Sequence, residues 1–199
     1  MKKIFYKYIY LNGKNIIYGL LSALFFSTIA FDSNKYYSVS LLMVPSLLFS
    51  FIVGKMCYEE DSNSTKEFLL ALPIQKQEIA LEKNLIGHVC IILGITIVNS
   101  MFFIINSIKG REGVFDIRLI LLVACFLIVY NTTYINLNYK FDYSKTQFSS
   151  YVILILMLFL FKFGNEFMIY MEKINSWGLL GGYIILSFIS LLLIKMNIF

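Results

Sequence analysis

The sequence predicts an all-α, polytopic membrane protein, and two observations predict it. Of the 199 residues, 59% are hydrophobic and only 15% charged, against about 45–50% and about 25% in an ordinary soluble domain. The apolar excess is gathered in long blocks rather than scattered. Each block approaches the roughly 20 residues that a helix rising about 1.5 Å per residue needs to cross a hydrocarbon core about 30 Å thick. Little chain is left for a soluble domain, which excludes a soluble enzyme. Any function is exerted within the bilayer or through a partner.

Six blocks qualify as spans, at 16–31, 37–56, 85–108, 119–139, 148–161 and 178–194, and 1–199 forms a single transmembrane domain. Before the first, Ile4, Phe5, Tyr8, Ile9 and Leu11 interleave with Lys2, Lys3 and Lys7. That pattern suits an amphipathic N-terminal segment lying on anionic lipid, and equally a plain extension of the first span. Thr28-Ile29-Ala30 only weakly resembles a cleavage site, so the first block is expected to be an uncleaved span, with Asp32-Ser33-Asn34 as its loop. The fifth block is short. Either it continues through Phe163 and Phe167 to Tyr170, or 164–177 forms an interfacial turn with Tyr170 and Trp177 at headgroup level.

The formal net charge of +5 does not indicate nucleic acid, because the basic residues sit in flanks and loops rather than on one soluble face. They set orientation instead. With the N-terminus in the cytoplasm, the inner segments hold Lys2, Lys3, Lys7, Lys14, Lys55, Lys66, Lys76, Lys83, Lys140, Lys145 and Lys195. The outer segments hold only Lys35, Lys109, Arg111, Arg118, Lys162 and Lys173. This bias puts both termini inside, in a multi-pass protein of a bacterial plasma membrane. Cys57, Cys90 and Cys125 have no metal-binding spacing and are expected to be small buried hydrophobes.

The one sizeable polar segment is 57–84. It opens on Glu59, Glu60 and Asp61, and Ser64 and Glu67 then have the spacing of a capping box. Phe68 to Leu72 is an apolar stretch too short to span, and Pro73 holds Leu72 extended while suiting the first turn of a following helix. That second helix starts near Ile74, carries Glu78, Glu82 and Lys83 on polar faces, and leads into the third span. The result is a helix–Pro–helix elbow exposing Phe68, Leu69, Leu72 and Ile74 beside mixed charges. A cytosolic partner could grip apolar anchors in such a polar rim; alternatively these residues rest on the bilayer or on neighbouring loops.

Glu59-Glu60-Asp61, then Phe68-Leu69-Leu70-Ala71-Leu72-Pro73-Ile74, then Gln77-Glu78-Ile79-Ala80-Leu81-Glu82-Lys83 resembles the hallmark of ABC-2 type transporter permeases, and in length and span number the small bacterial ones. In that family an acidic residue follows the second span, and a leucine-rich Leu-Pro-Ile, Ser-Arg-x-Glu-Ile-Val and Lys stretch precedes the third. Gln75 and Lys76 replace the usual Ser-Arg here, and Ser64-Thr65 stands where Gly-Thr is common. The resemblance implies a permease subunit of an ATP-driven ABC exporter. It implies a cytoplasmic coupling helix between the second and third spans, seated in a separate ABC ATP-binding subunit. Glu59, Glu60 and Asp61 would border that contact, and Phe68, Leu69, Leu70, Leu72, Pro73, Ile74, Lys76, Glu78 and Lys83 would carry it. A second permease subunit, the same or a related chain, is implied too. ATP and Mg would lie on the partner, with no cofactor in this chain.

The rest of the sequence is read by what it lacks and by its polar residues in apolar surroundings. No G-x-x-x-x-G-K-[ST] loop occurs, so ATP is not held here in the Walker manner. His88 is the single histidine and is expected to be packed or interfacial; Lys162 and Glu166 are spaced to pair near the outer face. Thr96, Asn99, Ser100 and Asn106 in the third span, and Asn131, Thr132, Thr133 and Asn136 in the fourth, must face other helices or a water-filled path. Small residues recur as Gly19/Ala23/Ser27, Ser46/Ser50/Gly54 and Gly178/Gly182, which permits close helix approach within one chain or between two. Two rivals to the permease remain: a substrate-binding membrane component of an uptake system, and a non-transport membrane protein such as an intramembrane enzyme. The first needs a polar pocket at the outer face, and the second a constellation of carboxylates or nucleophiles that the spans do not show.

Overall fold

The computed structural model describes residues 13–29, 34–62, 76–110, 117–141, 143–163 and 176–197, and every regular element among them is helical. Helix α1 is Gly13–Ile29. Helix α2 is Asn34–Phe49, and it passes through a π-helical turn, Ser50–Gly54, into α3, Lys55–Ser62. Then come α4 (Lys76–Ile108), α5 (Ile117–Lys140), α6 (Tyr143–Phe163) and α7 (Ser176–Asn197). The N-terminal amphipathic segment, the capping box at Ser64, Phe68 to Ile74, Glu166 and residues 164–175 of the 164–177 turn lie outside the described residues, while Trp177 is exposed in the first turn of α7.

Three of these helical stretches, Val39–Asp61, Glu78–Ile108 and Ile117–Lys140, are long and apolar enough to cross a membrane, and Ile16–Thr28 and Trp177–Leu192 are shorter apolar helices. The helices outrun the apolar blocks. Helix α4 starts at Lys76, close to the Ile74 expected for the second helix of the elbow, and runs on through the third apolar block, while the second apolar block continues helically past 56 to Ser62. Backbone hydrogen bonding propagates a helix past the last apolar residue wherever the next side chains find partners, and below they do. Helix α4 ends on Gly110, whose φ of +65° is the left-handed conformation that closes a helix, with the Lys109 amide still donating to Ile105 O at 3.0 Å.

Contacts at opposite ends show that α2–α3 and α4 run antiparallel. Tyr37, near the start of α2, packs its ring 4.4 Å from that of Phe102, near the end of α4. Glu60, at the far end of α3, meets Lys83 near the start of α4. Leu41, Leu42, Leu48, Val53, Ile91, Val98, Leu127, Ile128 and Ile135 are buried between these elements and α5. Outward faces are equally apolar: Ile17, Leu21 and Phe25 on α1, and Ile184, Ile185 and Phe188 on α7, are exposed. A surface of that composition is suited to lipid rather than water.

Helix α2 crosses α4 at close range. A Cβ on Gly94 would lie 2.6 Å from Pro45 Cα, so only glycine allows the two backbones to cross there. Pro45 lacks the N–H that its helix would use, and the π turn follows within two turns. The Gly19/Ala23/Ser27 stripe is spent within the chain: Ala23 and Ser27 are buried, and a Cβ on Gly19 would lie 3.2 Å from Phe51 Cβ. Gly182, in contrast, faces open space.

Candidate functional site

The segment with the most informative sequence, 63–75, is bracketed by α3 and α4, and its two roots are joined. Lys83 Nζ donates to Glu60 Oε2 at 2.5 Å, and the two side chains are 1% and 8% exposed. The Lys83 ammonium also lies 5.2 Å from the centre of the Tyr139 ring on α5, a cation–π distance, with buried Cys57 alongside. A buried charge without a partner is costly, so each of these ions requires the other. Neighbouring Asp61 points elsewhere. Its Oδ2 accepts the backbone N–H of Tyr143, the first residue of α6, at 2.5 Å. The rings of Tyr58 and Tyr143 meet edge-on at 5.3 Å, and Lys55 Nζ sits 4.5 Å from the Tyr58 ring centre.

One step deeper, a second polar cluster ties α4 to α5 and α7. Asn131 Nδ2 donates to Asn84 Oδ1 at 2.8 Å and to Asn84 O at 3.2 Å, and Asn84 Nδ2 donates to Ser190 Oγ at 3.3 Å. His88 Nδ1 lies 2.7 Å from Asn84 O and 3.4 Å from Asn131 Nδ2. Asn131 fits because residue 87 is glycine: a Cβ there would come within 2.5 Å of Asn131 Nδ2. His88 is thus packed into an asparagine cluster, and no group of three or more metal-binding side chains occurs among the described residues.

A cavity of about 660 Å³ opens between α2 with its π turn and the first half of α6. Met43, Leu47, Phe51, Leu154 and Ile155 supply apolar walls, and Ser46, Ser50, Gln147 and Tyr151 supply hydroxyl and amide groups. Gln147 Nε2 donates to Tyr151 Oη at 2.7 Å, while Ser46 and Ser50 hydroxyls turn back to carbonyls of their own helix. The cavity opens at the surface of the bundle, where Phe51, Tyr151 and Ile155 are exposed, and its lining is mostly apolar with a few polar groups. No charged side chain lines it.

The structure sorts the residues singled out from sequence. Glu59 is half-buried and Glu78 exposed. Glu60, Glu82 and Lys83, expected at a border or on polar faces, are buried: two are used up in the ion pair, and the Glu82 carboxylate has no hydrogen-bond partner among the described residues. Lys76 opens α4. Among the in-span polar residues, Asn99 accepts from the Tyr37 hydroxyl at 2.5 Å and Asn131 bonds Asn84, so both join helices. Thr132 and Thr133 bond back to carbonyls of their own helix, at Ile128 and Val129. Asn136 leaves Oδ1 buried without a partner among the described residues, and Asn106 is half-buried near the end of α4.

Comparison with known families decides the class. The family model described as ABC-2 family transporter protein matches residues 3–199. The chain belongs to the ABC-2 transporter family. It is thereby a membrane component of an ABC transporter, a class that works with an ABC ATP-binding subunit. No curated protein and no solved structure matches it. In this ABC-2 chain the features that sequence reasoning missed are Asn84, the pairing of Glu60 with Lys83, and the cap that Asp61 places on α6. The signal for the pairing was available: three acids, Glu59, Glu60 and Asp61, follow one apolar block, and Lys83 directly precedes the next. The cap was not, because it joins residues 82 positions apart through a backbone group that no side-chain pattern announces.

Proposed function

We propose that this chain is the permease subunit of an ATP-driven exporter, with six spans and both termini in the cytoplasm of a bacterial cell. The segment 57–84 engages the ATP-binding subunit, which holds ATP and Mg and performs the hydrolysis. Two permease subunits pair, and the cavity between α2 and α6 forms part of the path. The observation that carries this reading is the ion pair at the roots of 63–75. A coupling element must pass displacement on rather than absorb it. Residues 63–75 stand on two helices locked together by Glu60 and Lys83, and these helices continue directly into the stretches Val39–Asp61 and Glu78–Ile108, which are long and apolar enough to cross a membrane.

Orientation is supported by the lysine bias and by the grouping of Lys55, Lys83, Lys140 and Lys145 at the end of the bundle where Glu60, Asp61 and Tyr143 meet. The cavity's apolar, uncharged lining fits a cargo that presents an apolar face.

Affinity purification of the chain from its native membranes tests the reading. An ATP-binding polypeptide is expected to co-purify with the wild type and to be lost from the Leu70→Asp, Leu72→Asp double variant, which still inserts into the membrane. Equal recovery from both would contradict the assignment of 57–84.

A further inference from the structure

Glu60 and Asp61 are adjacent on one turn of α3, and side chains about 100° apart around a helix can reach two different neighbours. Glu60 reaches α4 at Lys83 and Asp61 reaches α6 at Tyr143. Helix α6 starts almost at once after α5 ends at Lys140, and the Phe141 amide is already bonded to Leu137 O at 2.8 Å. The N–H groups of its first turn have no partner within the helix and need an outside acceptor; Asp142, which precedes α6, lies outside the described residues. For the Tyr143 N–H, Asp61 supplies an acceptor from another helix, along with a negative charge at the positive end of the α6 dipole.

The consequence lies one turn further along α6. Gln147 and Tyr151 follow Tyr143 at helical spacing and line the cavity, with Leu154 and Ile155 above them. Tyr151 stands about 12 Å along the helix from the cap, at about 1.5 Å per residue. On the far wall, α2 is held to α4 by the Pro45–Gly94 crossing. Helix α6 packs mainly on α5 and also touches α2, and its first turn has in addition a bond to the tip of α3, whereas α2 crosses α4 closely. Between α2 and α3 lies the π turn Ser50–Gly54, a departure from α-helical bonding often found at functional sites.

We propose that Asp61 is a positioning residue for transport, pinning the first turn of α6 to the root of the coupling segment so that displacement of that segment moves the α6 wall of the cavity against α2. The proposal rests on the permease reading. It assigns Asp61 an internal role rather than a contact with the ATP-binding subunit.

The test uses the complex of the chain with its co-purified ATP-binding subunit. Spin labels on Phe51→Cys and Ile155→Cys, in a Cys125→Ser background, report the α2–α6 separation with and without ATP, Mg and vanadate. The unaltered pin is expected to give an ATP-dependent shift in separation. Asp61→Ala is expected to reduce the shifted fraction at least fivefold while the ATP-binding subunit is recovered in equal amount. Asp61→Asn, which keeps an acceptor oxygen, should retain at least half of the shift, and it keeps the proposal testable should the alanine variant fail to fold. A full shift in either Asp61→Ala or in an equally folded Asp61→Leu overturns the pin. So does loss of the ATP-binding subunit from Asp61→Asn, which would place Asp61 in the intersubunit contact. Recovery of no ATP-binding subunit with the wild type overturns the permease reading itself, and the pin with it.

Discussion

Replacing Lys83 by methionine removes a charge from a site where its partner has nowhere to go. The Nζ to Oε2 distance is 2.5 Å, and Glu60 as a residue is 6% exposed. With an effective dielectric constant of about 20, Coulomb's law gives about 7 kcal/mol of gross attraction at that separation. Desolvating both ions costs several kcal/mol each, so the intact pair adds little net stability. The imbalance appears when one partner leaves. Lys83→Met strands the Glu60 carboxylate, and breaking a buried pair in this way costs about 3–5 kcal/mol. Glu60→Gln in the same chain removes the stranded charge and should recover most of the loss, because neutral replacements of a buried pair are often close to neutral in stability. Unfolding of the purified chain in mixed micelles titrated with a denaturing detergent measures all four members of the cycle. A coupling energy above about 2 kcal/mol between the two positions is expected, within the range for residues in direct contact. A Lys83→Met cost below about 1 kcal/mol, or strictly additive losses in the double variant, would refute the reasoning.

Two further outcomes follow from the helix contacts. Gly94→Ala places a methyl group 2.6 Å from Pro45 Cα, so the crossing must open, and a loss of about 1–3 kcal/mol is expected; an unchanged unfolding midpoint would show that α2 and α4 do not cross so closely. Asn131→Ala removes the bonds to Asn84 and should cost about 0.6–1.7 kcal/mol, from the average to the maximum measured for hydrogen bonds between membrane helices. Asn84→Ala made on top of it should add less than it does alone, and full additivity would mean that the two asparagines do not bond.

The sequence made legible whatever depends on composition over a long window. The all-helical class, the location of the apolar blocks and the special character of 57–84 all rest on stretches of many residues, where chance averages out. It also marked Asn99 and Asn131 as residues needing partners, since an amide in an apolar run has few alternatives to another helix, and the structure supplies Tyr37 and Asn84. What was hidden depends on which side of a helix a residue faces. Glu82 and Lys83 sit among Glu78, Lys76 and Asn84 and look like a solvated polar face, yet both are buried. The burial of Lys83 is set by Glu60 on α3 and Tyr139 on α5, residues of other helices. The cavity was hidden for the same reason. Ser46, Ser50, Gln147 and Tyr151 belong to two separate blocks, and nothing in either block signals the other. Small-residue spacing was ambiguous in itself: one stripe packs inside the chain, at Gly19, while Gly182 faces outward.

The claim on which the account depends is that 63–75 meets an ATP-driven subunit inside the cell. A photo-reactive residue in place of Leu69, irradiated in intact native membranes, tests it most directly. The account predicts one dominant cross-linked product containing an ATP-binding polypeptide. Cross-links to lipid alone, or labelling of position 69 by an impermeant reagent from outside the cell, would contradict it.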